Sequence, residues 1–575
     1  MKMKNAVRAA VCAAVGAWGA AQGAPLADVQ LPKGFTARMK VDLSSATRNE
    51  TLWTMGPATL SLRMAGTDAA LGHYDRAHGN YLNFRLADGT CPVLEATLAA
   101  AAGRIGVPLG ALKSPGGVHM VSLTWAPPRW RICVDGDAAD EDFPDPRQYA
   151  ALTNGPAARV LSSRVSDAHF AEGAPRGVPP PEPDARPVAR PIQYWTPDGH
   201  NTWTGDVAPA FLGGKLHVFY LIDRRHHGSG GGTGRHQFAH LETDDLVHWT
   251  ERPLAVPIRE WWQTVGTGTP FLKDGKLAIA FGWHTSRFGE LAKDRPIGGT
   301  YAISEDGIHF TNSGEIVSAA QNPSIYTRAD GTYELVTSYG GAAGVFRSKD
   351  LKTWTPFDVK VPFRGDCPSL FEWHGHRYLL QGFHGMAYSA NGEPGTLEDW
   401  SGRPGKLYEG LSVPMVTPWK NDRRLYVGWL NHVHGWGGWL VFRELVQFPD
   451  GELGLKWVPE IQPPVKPVTL RTTGGCAFRR RFARVGGGDG LFLRIDPGTR
   501  TAEFVDDRPG AAPEQASIAN NVRIGNVRGL EHSVEVRLVV WHDPKADATI
   551  FDAEIGGART LICRRAGKWA LEPLP

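Results

Sequence analysis

The sequence predicts an all-β protein in which a five-bladed β-propeller is flanked by an N-terminal and a C-terminal β-sandwich. The composition, with 68 Gly, 43 Pro and 20 Trp but only 8 Met, is dense in turn formers and favours strands over helices. Both ends of the chain show strand-like alternation, and the middle contains a phased repeat. The 575 residues suffice for about three domains at roughly 100–200 residues each.

The first residues have the pattern of an export signal. A basic start that includes Arg8 precedes an apolar run over residues 9–21, and the small-x-small sequence at residues 21–23 marks a cleavage site. This run is shorter than the ~20 apolar residues that span a bilayer. We therefore expect residues 1–23 to be a signal peptide and the mature protein to be periplasmic or secreted.

Alternating apolar and polar residues predict a β-sandwich at each end of the chain. Residues 35–43 alternate in this way, and residues 130–136 form a strand-and-turn pattern similar to a hairpin of concanavalin-A-like sandwiches. Residues 534–540 show the same alternation near the C-terminus. We predict a concanavalin-A-like β-sandwich over residues 24–172 and a second β-sandwich over residues 463–575.

A Pro-rich stretch separates the first sandwich from the repeat. Residues 173–192 contain seven prolines. Proline lacks the backbone N–H that a strand ladder needs, so we expect this stretch to be an extended linker.

Charge and cysteine content narrow the function classes. The 62 basic and 59 acidic residues leave a net charge of +3, too little to attract nucleic acid or an anionic membrane. No Cys/His spacing typical of a zinc site occurs, so neither a metal nor a cofactor is expected. Removing the leader leaves five cysteines, so at least one thiol stays unpaired within the chain. Cys91 with Cys133, and Cys476 with Cys563, would each close a loop within one domain.

The central repeat predicts five propeller blades over residues 193–462. Each repeat begins with a short apolar run that carries a proline, and a second apolar strand follows a polar turn. The prolines are Pro209, Pro270, Pro323, Pro368 and Pro414, with spacings of 61, 53, 45 and 46 residues. A third element, an Asp four residues before an aromatic residue, recurs in phase at Asp245, Asp306 and Asp350. Spacings of this size are typical of four-stranded blades.

Residues next to these prolines are predicted to converge. Proline suits the first residue of a strand, and the innermost strand of each blade begins at the mouth of the central channel. The converging residues are Asp206, Thr267, Gln321, Asn322, Asp366 and Ser412. Two carboxylates that face each other across a pocket are the minimum equipment of a glycosidase, one to attack or guide water and one to protonate the leaving oxygen. The alternative is that each Asp caps the turn at which a strand begins.

Several motifs of the first repeat carry a family resemblance. Trp203-Thr-Gly-Asp206 is followed by Lys215-Leu-His-Val-Phe-Tyr220, by His236-Gln-Phe-Ala-His240 and by Asp245-Leu-Val-His-Trp249. In order and spacing these runs resemble the Trp-x-Asn-Asp-Pro, Tyr-His-Leu-Phe-Tyr, Gly-His and Asp-Leu-Val-His-Trp elements of glycoside hydrolase family 32, the β-fructofuranosidases. The resemblance covers about residues 195–575, including the trailing sandwich, and is most specific over residues 203–254.

This resemblance implies a retaining mechanism and assigns three residues. Asp206 stands where the family has its nucleophile, Asp366 where it has a Glu as general acid/base, and Asn322 where it has an Asp that stabilises the transition state. An Asp in place of Glu withdraws the acid by on the order of 1.5 Å, and misplacement by about 1 Å can cost ~100-fold in rate. Asn keeps the shape of Asp but loses its charge. These departures point to a different furanoside, a different linkage or a transferase.

Further residues are predicted to bind the substrate. They are Trp203, Gln321, Asp223, His240, Thr267, Trp283 and Arg287. Histidines at positions 226, 227, 236 and 240 flank a Gly-rich loop and are interpreted as polar residues of the channel rim, with a metal cluster as the alternative. Tryptophans at positions 261, 262, 283, 429, 436 and 439 either stack on sugar rings or fill the propeller core.

The sequence as a whole predicts an exported glycoside hydrolase, or a transglycosylating enzyme, that acts on β-fructofuranosides or related furanosides in oligosaccharides or polysaccharides. An arabinofuranosidase is the alternative within enzymes, because related five-bladed propellers act on arabinans. A carbohydrate-binding protein without catalysis is the alternative from another class, since altered motif residues are what a loss of catalysis would leave.

Overall fold

Strands make up nearly all the regular structure of the chain. The computed structural model describes residues 34–65, 84, 86–98, 103–147, 158–172, 183–232, 234–284, 292–319, 322–337, 344–357, 367–381, 385–389, 409–432, 436–488, 490–506 and 522–573. Residues 1–33, which contain the predicted signal peptide, lie outside this set, as do Arg287, Gln321 and Asp366. Apart from short 3-10 stretches such as Leu109–Ala111 and one helical turn at Ser229–Gly232, the regular structure of the described residues is β-strand, which confirms the predicted all-β class. No helix among them is long and apolar enough to cross a membrane.

The N-terminal part forms two five-stranded antiparallel sheets. In spatial order, the first contains Val165–Glu172, Phe35–Asp42, Val118–Ala126, Arg129–Val134 and Asp137–Asp142. The second contains Gly103–Pro108, Cys91–Leu98, Ala58–Ala65, Glu50–Met55 and Arg159–Val160. The alternation of Phe35–Asp42 buries every second side chain, and Trp53, Trp125 and Trp130 pack in the core between the sheets.

Five further sheets follow, one for each proline repeat. Blade 1 contains, in spatial order, Arg186–Pro187, Thr250–Val256, Gln237–Thr243, Lys215–Ile222 and Val207–Leu212. Blade 2 contains Val265–Gly266 and Pro270–Lys273, which both pair with Lys276–Trp283, then Gly298–Ser304 and Phe310–Asn312. Blade 3 contains Ser324–Thr327, Tyr333–Thr337, Gly344–Ser348 and Thr355–Phe357. Blade 4 contains Ser369–Trp373, His376–Gln381 and Gly385–Ser389, and blade 5 contains Ser412–Trp419, Arg423–Asn431, Gly438–Gln447 and Leu453–Lys456.

Hydrogen bonds join neighbouring blades around a central channel. Thr269 Oγ1 of blade 2 donates to the carbonyl of Ile325 in blade 3 at 2.8 Å, and Ser324 Oγ of blade 3 donates to the carbonyl of Pro368 at the start of blade 4 at 2.7 Å. The ring is closed by the segment before blade 1, because Trp195 and Thr204 pair with the blade 5 strand Gly438–Gln447. The first residues of the innermost strands therefore meet at one mouth of the channel, as the proline positions predicted.

The phased Asp residues cap turns at the outer side of the blades. Asp245 Oδ1 accepts the backbone N–H groups of Val247 and His248 at 2.8 and 2.7 Å, and the same arrangement recurs at Asp306 and Asp350. These backbone donors lower the pKa of Asp350 to about 2. The third phased element of the repeat is thus a structural turn.

The C-terminal part again forms two antiparallel sheets. The first contains Val468–Arg471, Glu535–Asp543, Ala548–Ile555 and Arg559–Ala566 in spatial order. The second contains Val522–Ile524, Thr501–Asp506, Gly490–Asp496, Phe478–Arg484 and Trp569–Leu571. Phe482, Phe504 and Phe551 pack together in the core between them.

Part of the predicted linker belongs to blade 1. Arg186–Pro187 pairs with the outer strand Thr250–Val256, with Arg186 opposite Glu251. Pro187 is accommodated because it lies on the edge of the sheet, where a missing N–H costs no ladder bond. The described end of the Pro-rich stretch is therefore a fixed strand, and the expectation of a spacer is wrong for these residues.

The predicted disulfides are wrong. Cys91, Cys133, Cys476 and Cys563 form no disulfide. Cys91 and Cys133 lie in different sheets of the N-terminal sandwich, while Cys563 is buried in a strand and Cys476 is exposed. Membership of one domain was therefore not enough to bring the two cysteines of either pair into contact.

Candidate active site

Asp206 lies at the mouth of the channel, directly before the innermost strand of blade 1, and its side chain is partly exposed. The Thr267 hydroxyl of blade 2 donates a hydrogen bond to Oδ2, and Trp429 Nε1 of blade 5 donates to Oδ1 at 3.2 Å. An ionised carboxylate only accepts hydrogen bonds, so two donors match that form. Residues from two other blades thus hold Asp206 in one orientation, and the predicted convergence of Asp206 with Thr267 is observed.

Blades 3 and 4 contribute an amide and a thiol to the same place. Cys367 Sγ lies 3.9 Å from Asp206 Oδ2, and Asn322 Nδ2 lies 4.0 Å from Cys367 Sγ. Cys367 directly follows Asp366 in the chain. The structure therefore brings Asn322 and the neighbour of Asp366 to the predicted nucleophile, while the acid/base role of Asp366 stays a prediction.

Two glycines let large side chains approach this centre. A Cβ atom at Gly205 would lie 2.2 Å from the Trp436 ring, and one at Gly266 would lie 1.9 Å from His284 Nε2 and 2.8 Å from Asn322 Oδ1. Any larger residue at either position would displace its neighbour. Gly205, the residue before Asp206, therefore leaves the space that the Trp436 indole occupies.

Two histidines continue the wall beyond Trp436. His236 stacks on the Trp436 ring with centroids 4.4 Å apart, and His227 Nδ1 lies 2.8 Å from His236 Nε2. Trp436 also meets the Trp429 ring edge-on at 5.8 Å. The interpretation of His227 and His236 as residues of the channel rim agrees with this placement.

Exposure separates the residues that line the site from those that support it. The partly exposed ones, called the site wall below, are Asp206, His227, His236, His284, Asn322 and Trp436. Thr267, Cys367 and Trp429 are buried behind them. Of the six tryptophans that the sequence left between stacking and core packing, Trp436 alone is partly exposed and the other five are buried.

Two of the predicted substrate-binding aromatic residues are core residues instead. Trp203 is fully buried, stacked on His432 with centroids 4.1 Å apart, and the Lys545 ammonium lies 4.6 Å from its ring. Trp283 is buried against Phe281 and Trp262. The motif order near Asp206 predicted contact with substrate, but packing from distant segments closes both rings off from solvent.

Asp223 and His240 are likewise structural. The Asp223 carboxylate accepts hydrogen bonds from Ser229 Oγ at 2.5 Å and from the backbone N–H groups of Arg225 and Arg235 at 2.9 and 3.2 Å. It is buried, and burial raises its pKa. His240 is buried between Phe219, at a centroid distance of 4.5 Å, and His217. Neither side chain is open to a substrate, so both predicted roles are corrected.

A second histidine group has the spacing of a metal site but the wrong charges. Ligand atoms of His217, His240 and Glu242 lie close enough to hold an ion. Glu242 Oε1, however, already accepts from Lys215 Nζ at 2.6 Å and from Arg252 Nη2 at 2.9 Å. Two adjacent cations oppose binding of a divalent metal, and His217 Nδ1 lies 3.0 Å from His240 Nε2. The group fits a buried ion-paired cluster better than a metal centre.

Three histidines with lowered pKa values predict that the protein loses stability at acidic pH. Burial lowers the pKa of His217, His236 and His240 below the ordinary value of 6.5. The unfolded chain takes up protons near that pH while the folded chain does not. The free energy of unfolding should therefore be highest above pH 6.5 and fall below it, by up to about 1.4 kcal/mol per pH unit for each group.

Urea unfolding at about pH 7.5 and about pH 5.5 measures this dependence. In a His240→Gln variant the free energy of unfolding should differ less between the two pH values, because one of the titrating groups is gone. An unchanged difference would show that His240 takes up its proton equally in the folded and unfolded states.

Comparisons with known proteins agree with the motifs of blade 1. Residues 200–396 match the family model "Glycosyl hydrolases family 32 N-terminal domain". A probable sucrose-6-phosphate hydrolase of Psychromonas ingrahamii is 28% identical over 165 residues, which are 25% of this chain and 30% of that protein. A levanbiose-producing levanase of Bacillus subtilis is 24% identical over 217 residues, 33% of this chain and 38% of that protein. The chain thus spans about a third of the length of these curated relatives.

One solved structure is partly similar to the chain. The structure of a GH32 beta-fructofuranosidase from Bombyx mori is 17% identical to this chain, with a TM-score of 0.49. The match covers 66% of this chain and 90% of that chain.

Proposed function

Because residues 200–396 match the family 32 model, we propose that the chain is a divergent member of that family and that it hydrolyses β-fructofuranosides with retention of configuration. The single observation that supports this most is Asp206, a partly exposed carboxylate that Thr267 and Trp429 orient at the channel mouth. The residue after Asp366 lies 3.9 Å from it. A carboxylate nucleophile beside a second acid is what a retaining glycosidase needs.

In the first step, an Asp206 oxygen attacks the anomeric carbon of the fructosyl unit. The bond to the leaving oxygen breaks, and that oxygen takes a proton from Asp366, so that a fructosyl ester forms on Asp206. In the second step, water attacks the same carbon while Asp366 takes back a proton, which releases fructose and restores the Asp206 carboxylate.

The surrounding residues hold the groups that react. Thr267 and Trp429 keep the Asp206 oxygens pointed in fixed directions, so little reorientation is needed when the ester forms. Asn322, partly exposed beside Cys367, offers an uncharged amide to the sugar hydroxyls. In this proposal a neutral amide replaces the family's carboxylate, and the rate on ordinary fructans is correspondingly lower.

We further propose that the protein is exported and meets its substrate outside the cytoplasm. The basic and apolar pattern of residues 1–23 supports this. Cell fractionation of the full chain, with and without residues 1–23, tests it.

The acid/base assignment predicts opposite effects for two substitutions at Asp366. Asp366→Asn removes the proton donor and should lower fructose release by about 100-fold or more. Asp366→Glu restores the missing methylene and should keep activity within about 10-fold of the unsubstituted protein or raise it. Chromatography of the products from sucrose, inulin, levan and arabinan measures both changes.

Asp350→Asn, in an exposed turn of blade 3, is the matched control and should leave the rate unchanged. Release of arabinose alone would favour an arabinofuranosidase. Sugar binding without any turnover would favour a carbohydrate-binding protein instead.

A further inference from the structure

We propose that Trp436, His236 and His227 form a binding subsite for an uncharged sugar unit next to Asp206, and that Asp142 of the N-terminal sandwich positions this subsite. The inference rests on the proposed function, because it takes Asp206 as the reacting group. It states which class of ligand, an uncharged sugar, one side of the site wall binds. It also makes the N-terminal sandwich part of the active site.

The geometry places the three side chains in one continuous surface. The Trp436 ring lies against Gly205, the residue before Asp206, where a Cβ atom would come within 2.2 Å of it. His236 stacks on that ring at 4.4 Å, and His227 lies 2.8 Å from His236 between Nδ1 and Nε2. All three are partly exposed, and Trp436 meets the ring of Trp429, which donates to Asp206 Oδ1.

The chemistry of this surface suits a sugar without ionic groups. An indole ring packs against the C–H faces of sugar rings. His227 and His236 each use one ring nitrogen for the contact between them, so each has its other nitrogen left to donate to or accept from a sugar hydroxyl. Burial lowers the pKa of both His227 and His236, which favours their neutral forms. Neutral imidazoles hydrogen-bond hydroxyls well but give no charge to hold a phosphate.

The loop that carries His227 is fastened to the N-terminal sandwich. Asp142 Oδ1 accepts the backbone N–H of Gly230 at 2.7 Å, and Oδ2 accepts from Arg225 Nη1 at 2.5 Å. His226 and His227, between these anchors, have φ values of +50° and +65°. Non-glycine residues seldom keep this left-handed conformation unless their surroundings impose it. Asp142, which is buried, contributes to that constraint together with Asp223.

His236 is fastened to the same sheet by an independent route. The next residue, Gln237, donates from Nε2 to Glu141 Oε1 at 3.0 Å and accepts at Oε1 from Arg129 Nη2 at 2.5 Å. Glu141 and Arg129 both belong to the N-terminal sandwich and are buried. Both histidines of the subsite thus have a neighbour bonded to the first sandwich.

The test separates sugar binding from turnover. In steady-state assays on the fructan that the protein hydrolyses, Trp436→Ala should raise KM by about 10-fold with a smaller change in kcat, and Trp436→Phe should recover part of the loss. His236→Ala should raise KM, whereas His248→Ala, at an exposed position of blade 1, should not. Asp142→Asn should raise KM by less than Trp436→Ala does, while Asp135→Asn in the same sandwich should leave KM unchanged.

Calorimetric titration of the Asp206→Asn protein with fructose and with fructose 6-phosphate tests the ligand class without turnover. Fructose should bind at least as well as its phosphate, and the Trp436→Ala change should weaken it. Tighter binding of the phosphate, or an unchanged KM in Trp436→Ala while hydrolysis proceeds, would overturn the subsite and leave the proposed function standing. If Asp142→Asn does not fold, Ser229→Ala removes a hydroxyl that lies 2.5 Å from Asp223 Oδ1 and 3.2 Å from the Glu141 carbonyl, and it therefore loosens the same loop. An unchanged KM in that folded variant would overturn the positioning role.

Discussion

Asp206→Asn should abolish turnover and leave the fold intact. The amide keeps the shape of the carboxylate: its oxygen can still accept from Trp429 Nε1, and its NH2 group can donate to the Thr267 hydroxyl, so the local packing survives. It is a poor nucleophile, however, and cannot form the fructosyl ester. We expect kcat to fall by at least about 1,000-fold, which corresponds to about 4 kcal/mol of transition-state stabilisation.

The measurement is fructose release by the two purified proteins under identical conditions, with a thermal melt of each. Asp350→Asn serves as the matched control, because it removes one carboxylate from an exposed turn of the same propeller. Activity of Asp206→Asn within a few-fold of the unsubstituted protein would remove Asp206 from the mechanism. A melting temperature that drops along with the activity would assign the carboxylate a structural role instead.

The position of Asp206 was predictable because one local rule applied five times. Each innermost strand begins near a proline, and a ring of such strands brings its first residues together whatever the rest of the chain does. The placement of Thr267 and Asn322 followed from the same rule. The outer Asp turns repeat for an equally local reason, namely that one carboxylate accepts two backbone N–H groups.

The misassigned residues fail for the opposite reason. Trp203 lies only three positions before Asp206, but His432 and Lys545, from distant parts of the chain, cover its ring. A family motif shows that a side chain matters and does not show whether it faces substrate or core. Exposure, which distinguishes Trp436 from Trp203, depends on tertiary packing that the sequence does not display.

The participation of the first sandwich was also missed. The run Asp140-Glu141-Asp142 has the composition of a solvated strand end, yet all three side chains are buried. Their partners include Arg129 and Arg131 in the neighbouring strand and Arg225 in the propeller. An acidic run close in sequence to Arg129 and Arg131 indicated a buried ionic contact within the sandwich. The spacing could not show that Arg225 of the propeller pairs with the same run.

Arg443 is expected to carry the largest effect on stability. Its Nη2 donates to both oxygens of Asp552 in the C-terminal sandwich at 2.9 Å, and Nε donates to Glu409 Oε2 at 3.2 Å. All three side chains are essentially inaccessible to solvent. Asp552 also accepts from the Tyr194 hydroxyl at 2.6 Å, and the ion pair joins the propeller to the second sandwich.

Arg443→Met should lower the free energy of unfolding by about 3–5 kcal/mol, because it leaves two buried carboxylates without their cation. Urea unfolding followed by tryptophan fluorescence measures the change. The control is Arg471→Met, because Arg471 is an exposed arginine in a strand of the C-terminal sandwich. It should shift the free energy of unfolding by less than about 0.5 kcal/mol. A shift in Arg443→Met no larger than this control would mean that water or a neighbouring donor compensates the two carboxylates, and that the propeller and the second sandwich are held together by their apolar contacts instead. A loss of several kcal/mol would show that Arg443 holds the propeller and the second sandwich together through its ion pair with Asp552.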